Sequence, residues 1–117
     1  MDTIKILPTQ DKILPPLVVE VAASFVERFL GLMGRSELPP EKGLLIYPCS
    51  SIHMCFMRFA IDAVFVDKDL RVLKIYRSLP PWLGIGFSCG AWGVLEFAAG
   101  SAERYGWQVG DALLTEK

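Results

Sequence analysis

Charge is scarce in this chain and neither sign dominates. Asp, Glu, Lys and Arg make up 21% of the 117 residues, and 12 basic against 13 acidic side chains leave a formal net charge of −1. The basic residues are scattered singly. That excludes the basic stripe from which nucleic-acid-binding proteins draw most of their affinity. Cysteine is limited to Cys49, Cys55 and Cys89, an odd number without CxxC spacing. Free thiols in a reducing compartment fit this pattern better than a disulfide framework. No apolar run is long enough for a membrane span, because Glu20, Glu27 and Arg28 interrupt the best candidate. The opening MDTIKILPTQDK places an acid at Asp2 and a proline at Pro8, so no signal peptide and a cytoplasmic location are expected. Neither GxxxxGK(S/T) nor a GxGxxG before a helix is present, which excludes the common phosphate loops. Internal repeats, low-complexity tracts and inter-domain linkers are also missing, so residues 1–117 read as one domain.

Apolar residues, by contrast, are abundant. They form 52% of the chain, with a mean hydropathy of +0.38. A chain of this length buries about two-thirds of its unfolded surface. Surplus apolar surface with near-zero charge suggests a face shared with a partner, such as a homodimer.

Short β-branched runs bounded by Pro, Gly and Asp dominate the pattern. Ile4 to Leu7, Leu17 to Ala22, Leu44 to Tyr47, Ser51 to Arg58, Ile61 to Val66, Leu70 to Tyr76, Val94 to Ala98 and Ala112 to Thr115 read as strands. Asp67-Lys68-Asp69 turns the fifth of these into the sixth as a hairpin. Ser24 with Glu27 forms a capping box opening a helix near residues 24–33, which Gly34 ends. Ser101 to Tyr105 is a short helical turn stopped by Gly106. Ser78 to Gly93, with Pro80, Pro81, Trp82 and four glycines, reads as irregular. The expectation is a mainly β domain (α+β by content): a jelly-roll-like β-sandwich or barrel of seven or eight short strands.

The order of motifs resembles a known family. VAAS and ERFLGLMGR are followed by a Gly-Leu-Leu strand, HMCFMRFAIDAVFVDKDLRVLKI, LPPW and VLEFAAGSAERYGWQVGDAL, from about Val18 to Leu114. This combination resembles the bacterial and archaeal family known as domain of unknown function 192. The resemblance implies a compact jelly-roll-like architecture and brings no activity, substrate or cofactor. Many relatives resemble exported proteins, a location this chain's start does not support. Ala60 stands where relatives often carry proline, and Cys55 where they often carry a bulky aromatic.

The densest chemistry lies in IHMCFMRFAIDAVFVD, residues 52–67. Polar groups inside an apolar run must be paired when buried. On a strand, His53, Cys55 and Met57 would share one face and Met54, Phe56 and Arg58 the other. With Cys49 they suggest a copper(I) or zinc site, but no second cluster of ligands completes it, so neither metal nor cofactor is expected. Nor does a strand aim His53 at Cys55 to activate a thiolate.

Arg28, His53, Arg58, Asp62 and Glu96 form a third group. Each carboxylate must face solvent or meet a partner, and Arg28 and Arg58 are the natural partners. Two readings fit: ion pairs tying helix to sheet, or a cleft for a small anionic or hydroxylated ligand. Trp82 lies in the glycine-rich loop, which either roofs such a cleft or plugs the sandwich end. The expected function is therefore a non-enzymatic ligand-binding module using Arg28, His53, Met57, Arg58, Asp62, Trp82 and Glu96. One alternative is a small hydrolase or lyase pairing His53 with Asp62 or Glu96. The other is a structural or assembly protein forming a homodimer.

Overall fold

The structure is a computed structural model describing residues 2–9, 13–22, 37–54 and 57–116. Among the described residues are nine strands and one short helix: β1 (Thr3–Leu7), β2 (Leu17–Ala22), β3 (Lys42–Ile46), β4 (Ser51–His53), β5 (Ile61–Val66), β6 (Val72–Leu79), β7 (Ile85–Phe87), β8 (Gly93–Ala98), α1 (Ser101–Tyr105) and β9 (Leu114–Glu116). Seven strands make one sheet in the order β6-β5-β8-β3-β2-β1-β9, while β4 and β7 pair separately. The helix expected near residues 24–33 falls outside the described residues.

The sheet curls until its two edges approach. Arg71, just before β6, bridges Ala112, just before β9. Around that bridge, the Val72 amide donates to the Asp111 carbonyl at 2.8 Å and the Leu113 amide to the Leu70 carbonyl at 3.0 Å. The Arg71 guanidinium adds a bond to the Gly110 carbonyl at 2.6 Å. A half-barrel stitched at one point results, and it removes the open sheet edges there.

Two apolar cores flank this sheet. The inner one gathers Ile6, Leu17, Val19, Leu45, Val64, Leu95 and Phe97 with Tyr105, Trp107 and Leu113. The outer one gathers Leu44, Ile46, Ala63, Phe65 and Val94 under Ile52, Met54, Met57 and Leu79. Strand β5 is buried along its whole length, as its unbroken apolar run demands of a strand covered on both faces. Gly43 sits opposite Phe97 in the β3–β8 ladder. A Cβ there would fall within 2.4 Å of the Phe97 ring, so the missing side chain is what lets the ring lie across the strand.

Asp62 organises one end of the half-barrel. It is a carboxylate in the middle of an apolar strand, only 1% exposed. Strand β6 bulges beside it: Ile61 pairs with Leu79 and Ala63 with Tyr76, leaving Arg77 and Ser78 opposite Asp62 alone. Ser78 adopts a left-handed φ of 53°, and its amide donates to Asp62 Oδ1 at 2.9 Å. Asp62 Oδ2 accepts from the Gly100 amide at 3.1 Å and the Ala102 amide at 2.9 Å. The α1 N-terminus carries no side-chain cap of its own. Asp62 thus satisfies orphan helix donors from about 40 residues away. Beyond it, Trp107 packs on Phe97 (4.9 Å between centroids) and Tyr105 (5.4 Å), sealing this end. The Tyr105 hydroxyl donates to the Pro15 carbonyl, and burial pushes its pKa up.

Two differences from the sequence reading have physical causes. The strand expected over Ser51 to Arg58 stops at His53. The Met54 carbonyl accepts both the Trp82 amide at 2.7 Å and the Met57 amide at 3.1 Å, which folds the chain into a turn. Within the expected irregular stretch, residues 85–87 form β7. Gly86 makes this possible, because a Cβ there would come within 3.1 Å of the Tyr76 ring.

Replacing Gly43 with alanine is expected to lower unfolding free energy by about 1–3 kcal/mol, read from denaturant melts, because the Phe97 ring must move off its rotamer. Asp62→Ala is expected to cost about 1–3 kcal/mol by leaving three amide donors, one of them buried, without their acceptor. Asp62→Asn, which keeps one acceptor oxygen, should lose less in the same melts.

Candidate functional site

The expected site residues fall on different surfaces. Asp62 lies opposite Phe97 and Glu96 opposite Ala63 in the β5–β8 ladder. Side chains alternate along strands, so Asp62 points with Phe97 to the inner core and Glu96 with Ala63 to the outer core. The sheet itself separates the two carboxylates. Glu96 is 6% exposed and is held by an interaction of its own. Arg28 lies outside the described residues.

His53, Arg58 and Trp82 are all exposed. His53 pairs across the strands with Ile85, and the two share an exposed face. Met57 is buried beneath, in the outer core, so it does not share the face of His53. The Met54 carbonyl accepts the amides of both Met57 and Trp82, which brings these two backbone positions close, and Arg58 is exposed. Among the described residues, the His53 side chain makes no hydrogen bond or ion pair, whereas both oxygens of Asp62 are taken by amides. This geometry brings no acid–base partner to the imidazole among those residues. The Cys49 thiol donates to the Ser51 carbonyl at 3.1 Å.

Near this face the Tyr76 hydroxyl donates to the Phe87 carbonyl at 3.0 Å and accepts the Phe87 amide at 3.2 Å. The Lys74 ammonium lies 4.8 Å from the Tyr76 ring centroid and 4.6 Å from that of Phe87. A hydrogen bond with Lys74 is the main cause holding the Tyr76 hydroxyl below the ordinary tyrosine pKa, reinforced by the Phe87 backbone.

A cleft opens at the end of the half-barrel away from Asp62. Trp92 precedes β8 and Ser101 follows it, so the two ends are separated by the length of that six-residue strand, about 20 Å. The cleft measures about 800 Å³ and is lined by Ile4, Val21, Leu45, Leu70, Tyr47 and Trp92, with Asp2, Thr3, Lys68 and Thr115 also contributing. Its inner wall is apolar and continues the inner core. Tyr47 and Trp92 stack at 4.5 Å with their planes 19° apart. The Trp92 amide donates to the Val66 carbonyl at 2.9 Å and its carbonyl accepts the Cys49 amide at 3.0 Å, so backbone bonds on both sides position the indole.

None of the described residues expected from the sequence lines this cleft. Tyr47 ends the run expected as one strand, and Trp92 precedes another. Their aromatic character is a visible signal, but only the pairing of β3 with β8 brings them face to face.

Comparison with known proteins agrees with this architecture. A protein of unknown function from Novosphingobium aromaticivorans superposes with a TM-score of 0.78 at 28% identity, covering 96% of this chain and 83% of its own. A Sinorhizobium meliloti protein, named as a transcription-regulator candidate, superposes at 0.82 with 25% identity over 97% and 92%. A UPF0127 protein of Pyrococcus furiosus is 33% identical over 105 residues, 81% of this chain and 84% of that protein. A UPF0127 protein of Pyrococcus horikoshii is 38% identical over 69 residues, 55% of this chain and 57% of its own length. The DUF192 family, described as an uncharacterized ACR, matches residues 6–115, and the chain belongs to that family.

Proposed function

We propose that the chain is a non-enzymatic binding module that takes a small anionic or hydroxylated ligand at the open end of the half-barrel. The observation that carries this reading is the cleft of about 800 Å³ with a stacked Tyr47–Trp92 pair on an apolar wall. Ligand sites are typically apolar hollows with a few polar groups that fix orientation, often in the mouths of barrels. The aromatic pair suits the flat face of a ring. Lys68 supplies a cation at the rim, and Thr3 and Thr115 supply hydroxyls for a ligand's oxygens. Among the described residues the cleft lining contains no histidine or cysteine, and the carboxylate there, Asp2, is exposed, which favours binding over proton transfer. Among the described residues no helix is long and apolar enough to cross a membrane.

The set expected from the sequence offers a second location for the same activity, because His53, Arg58 and Trp82 are all exposed. A thermal-shift screen with monocyclic carboxylates, sugar phosphates and free sugars separates the two. A bound compound at one hundred times its Kd stabilises the fold by about 2.7 kcal/mol, a clear rise in Tm. Val21→Trp, which fills the cleft, is expected to abolish the response, and Lys68→Glu to weaken the anionic compounds alone. Loss of the response in Arg58→Ala, with Val21→Trp still responding, would move the site to the outer face. No response to any compound would overturn the reading.

A further inference from the structure

The segment from Pro80 to Ser88 presents large apolar side chains outward. Trp82 is 57% exposed, Leu83 82%, Ile85 70% and Phe87 58%. They stand on a tight turn held by the Trp82 amide on Met54, the Leu83 amide on Pro81 and the Gly84 amide on Pro80. Below it, Ile85 and Phe87 project to one side while Gly86 packs inward. The turn is held closely. A Cβ on Gly84 would come within 2.7 Å of the Met54 side chain and 2.9 Å of the Pro80 carbonyl. The apolar groups therefore form a supported ridge, and exposed apolar surface of this density marks an interaction site.

The two chain segments that carry this ridge hold cations and no carboxylate. Residues 48–60 and 71–95 contain no aspartate or glutamate. Their cations include Lys74 over the Phe87 ring and exposed Arg58. Arg71 and Arg77 turn elsewhere, to the carbonyls of Gly110 and Trp107. His53 shares the face of Ile85. The chain as a whole is slightly acidic, so this face departs from the average of the molecule.

We infer that the ridge of Trp82, Leu83, Ile85 and Phe87 docks the protein peripherally on an anionic lipid surface. Charge complementarity selects this occupant. A symmetric dimer through the face would set Arg58 and Lys74 of one copy near those of the other, and like charges oppose such a contact. A bilayer with acidic headgroups meets both features at once: the cations pair with phosphates while Trp82, Leu83 and Ile85 enter the boundary between headgroups and chains. Tryptophan favours that boundary because its ring is apolar and its N–H finds a polar partner there. The apolar groups project from a convex turn, which suits insertion into a soft interface.

The test is co-sedimentation of the full chain with vesicles of phosphatidylcholine alone and of phosphatidylcholine mixed equally with phosphatidylglycerol. The expected result is pelleting with the mixed vesicles, little with phosphatidylcholine, and release as salt is raised. Tryptophan emission should shift to the blue on binding, and Trp82→Ser should lack that shift. The double variant Leu83→Ser/Ile85→Ser is expected to lose binding by about tenfold or more, and Arg58→Glu to weaken it, all with an unchanged Tm because these side chains face solvent. Failure of the wild type to pellet, or equal binding by the double variant, overturns the inference. So does a concentration-dependent dimer that the double variant abolishes, or retention by an acidic protein without affinity for vesicles. The cleft around Trp92 is not involved, so Val21→Trp should leave vesicle binding intact.

Discussion

One carboxylate holds three separate parts of the chain. Asp62 accepts amides from the bulge in β6 and from both ends of the approach to α1. Each contact resolves a local problem. The bulge leaves Ser78 without a ladder partner, and α1 begins at Gly100 without a side-chain cap. An ionised group buried among hydrocarbon is costly unless its oxygens are fully engaged. Here three backbone donors engage them, and charge-assisted bonds of this kind are the stronger ones. The sealed end of the half-barrel, with Phe97, Tyr105 and Trp107 packed beyond, depends on this arrangement.

Sealing one end leaves the other to be open. The strands that carry Asp62 and Phe97 at one end carry Val66 and Trp92 at the other. At the sealed end α1 and its aromatic neighbours fill the inner core. At the open end the hairpin turn near Lys68 and the strands β1 and β9 approach, and a cleft lies between them. The outer core is covered differently, by the β4–β7 pair and the turn at Met54, and that cover bears the exposed ridge. The fold therefore offers two distinct surfaces, a cleft with an apolar inner wall and an exposed apolar ridge, supported by separate cores.

Much of the fold was legible because burial leaves a period. Leu17 to Ala22, Ile61 to Val66 and Ser101 to Tyr105 have the bounds read from the sequence. The hairpin turn at Asp67 to Asp69 is also present, with Asp67 Oδ1 accepting the amides of Asp69 and Arg71. Local composition failed where tertiary contacts decided. The strand after Ser51 ends early because the Met54 carbonyl serves two amides, one from a residue nearly thirty positions away. Strand β7 exists because Gly86 tolerates Tyr76 against its backbone. For the site, the need of Asp62 for partners was legible, but its partners are backbone amides, which no sequence displays. Which side of a sheet a residue occupies relative to a neighbouring strand depends on register, so the separation of Asp62 from Glu96 was not legible either.

Amide hydrogen exchange under native conditions tests the central claim most directly. If the Asp62 carboxylate secures the sealed end, the amides of Ser78, Gly100 and Ala102 exchange only on global unfolding, with protection equal to that of Val94 to Phe97 in β8. Exchange at these three amides as rapid as in the exposed turn at Lys68 would contradict the account.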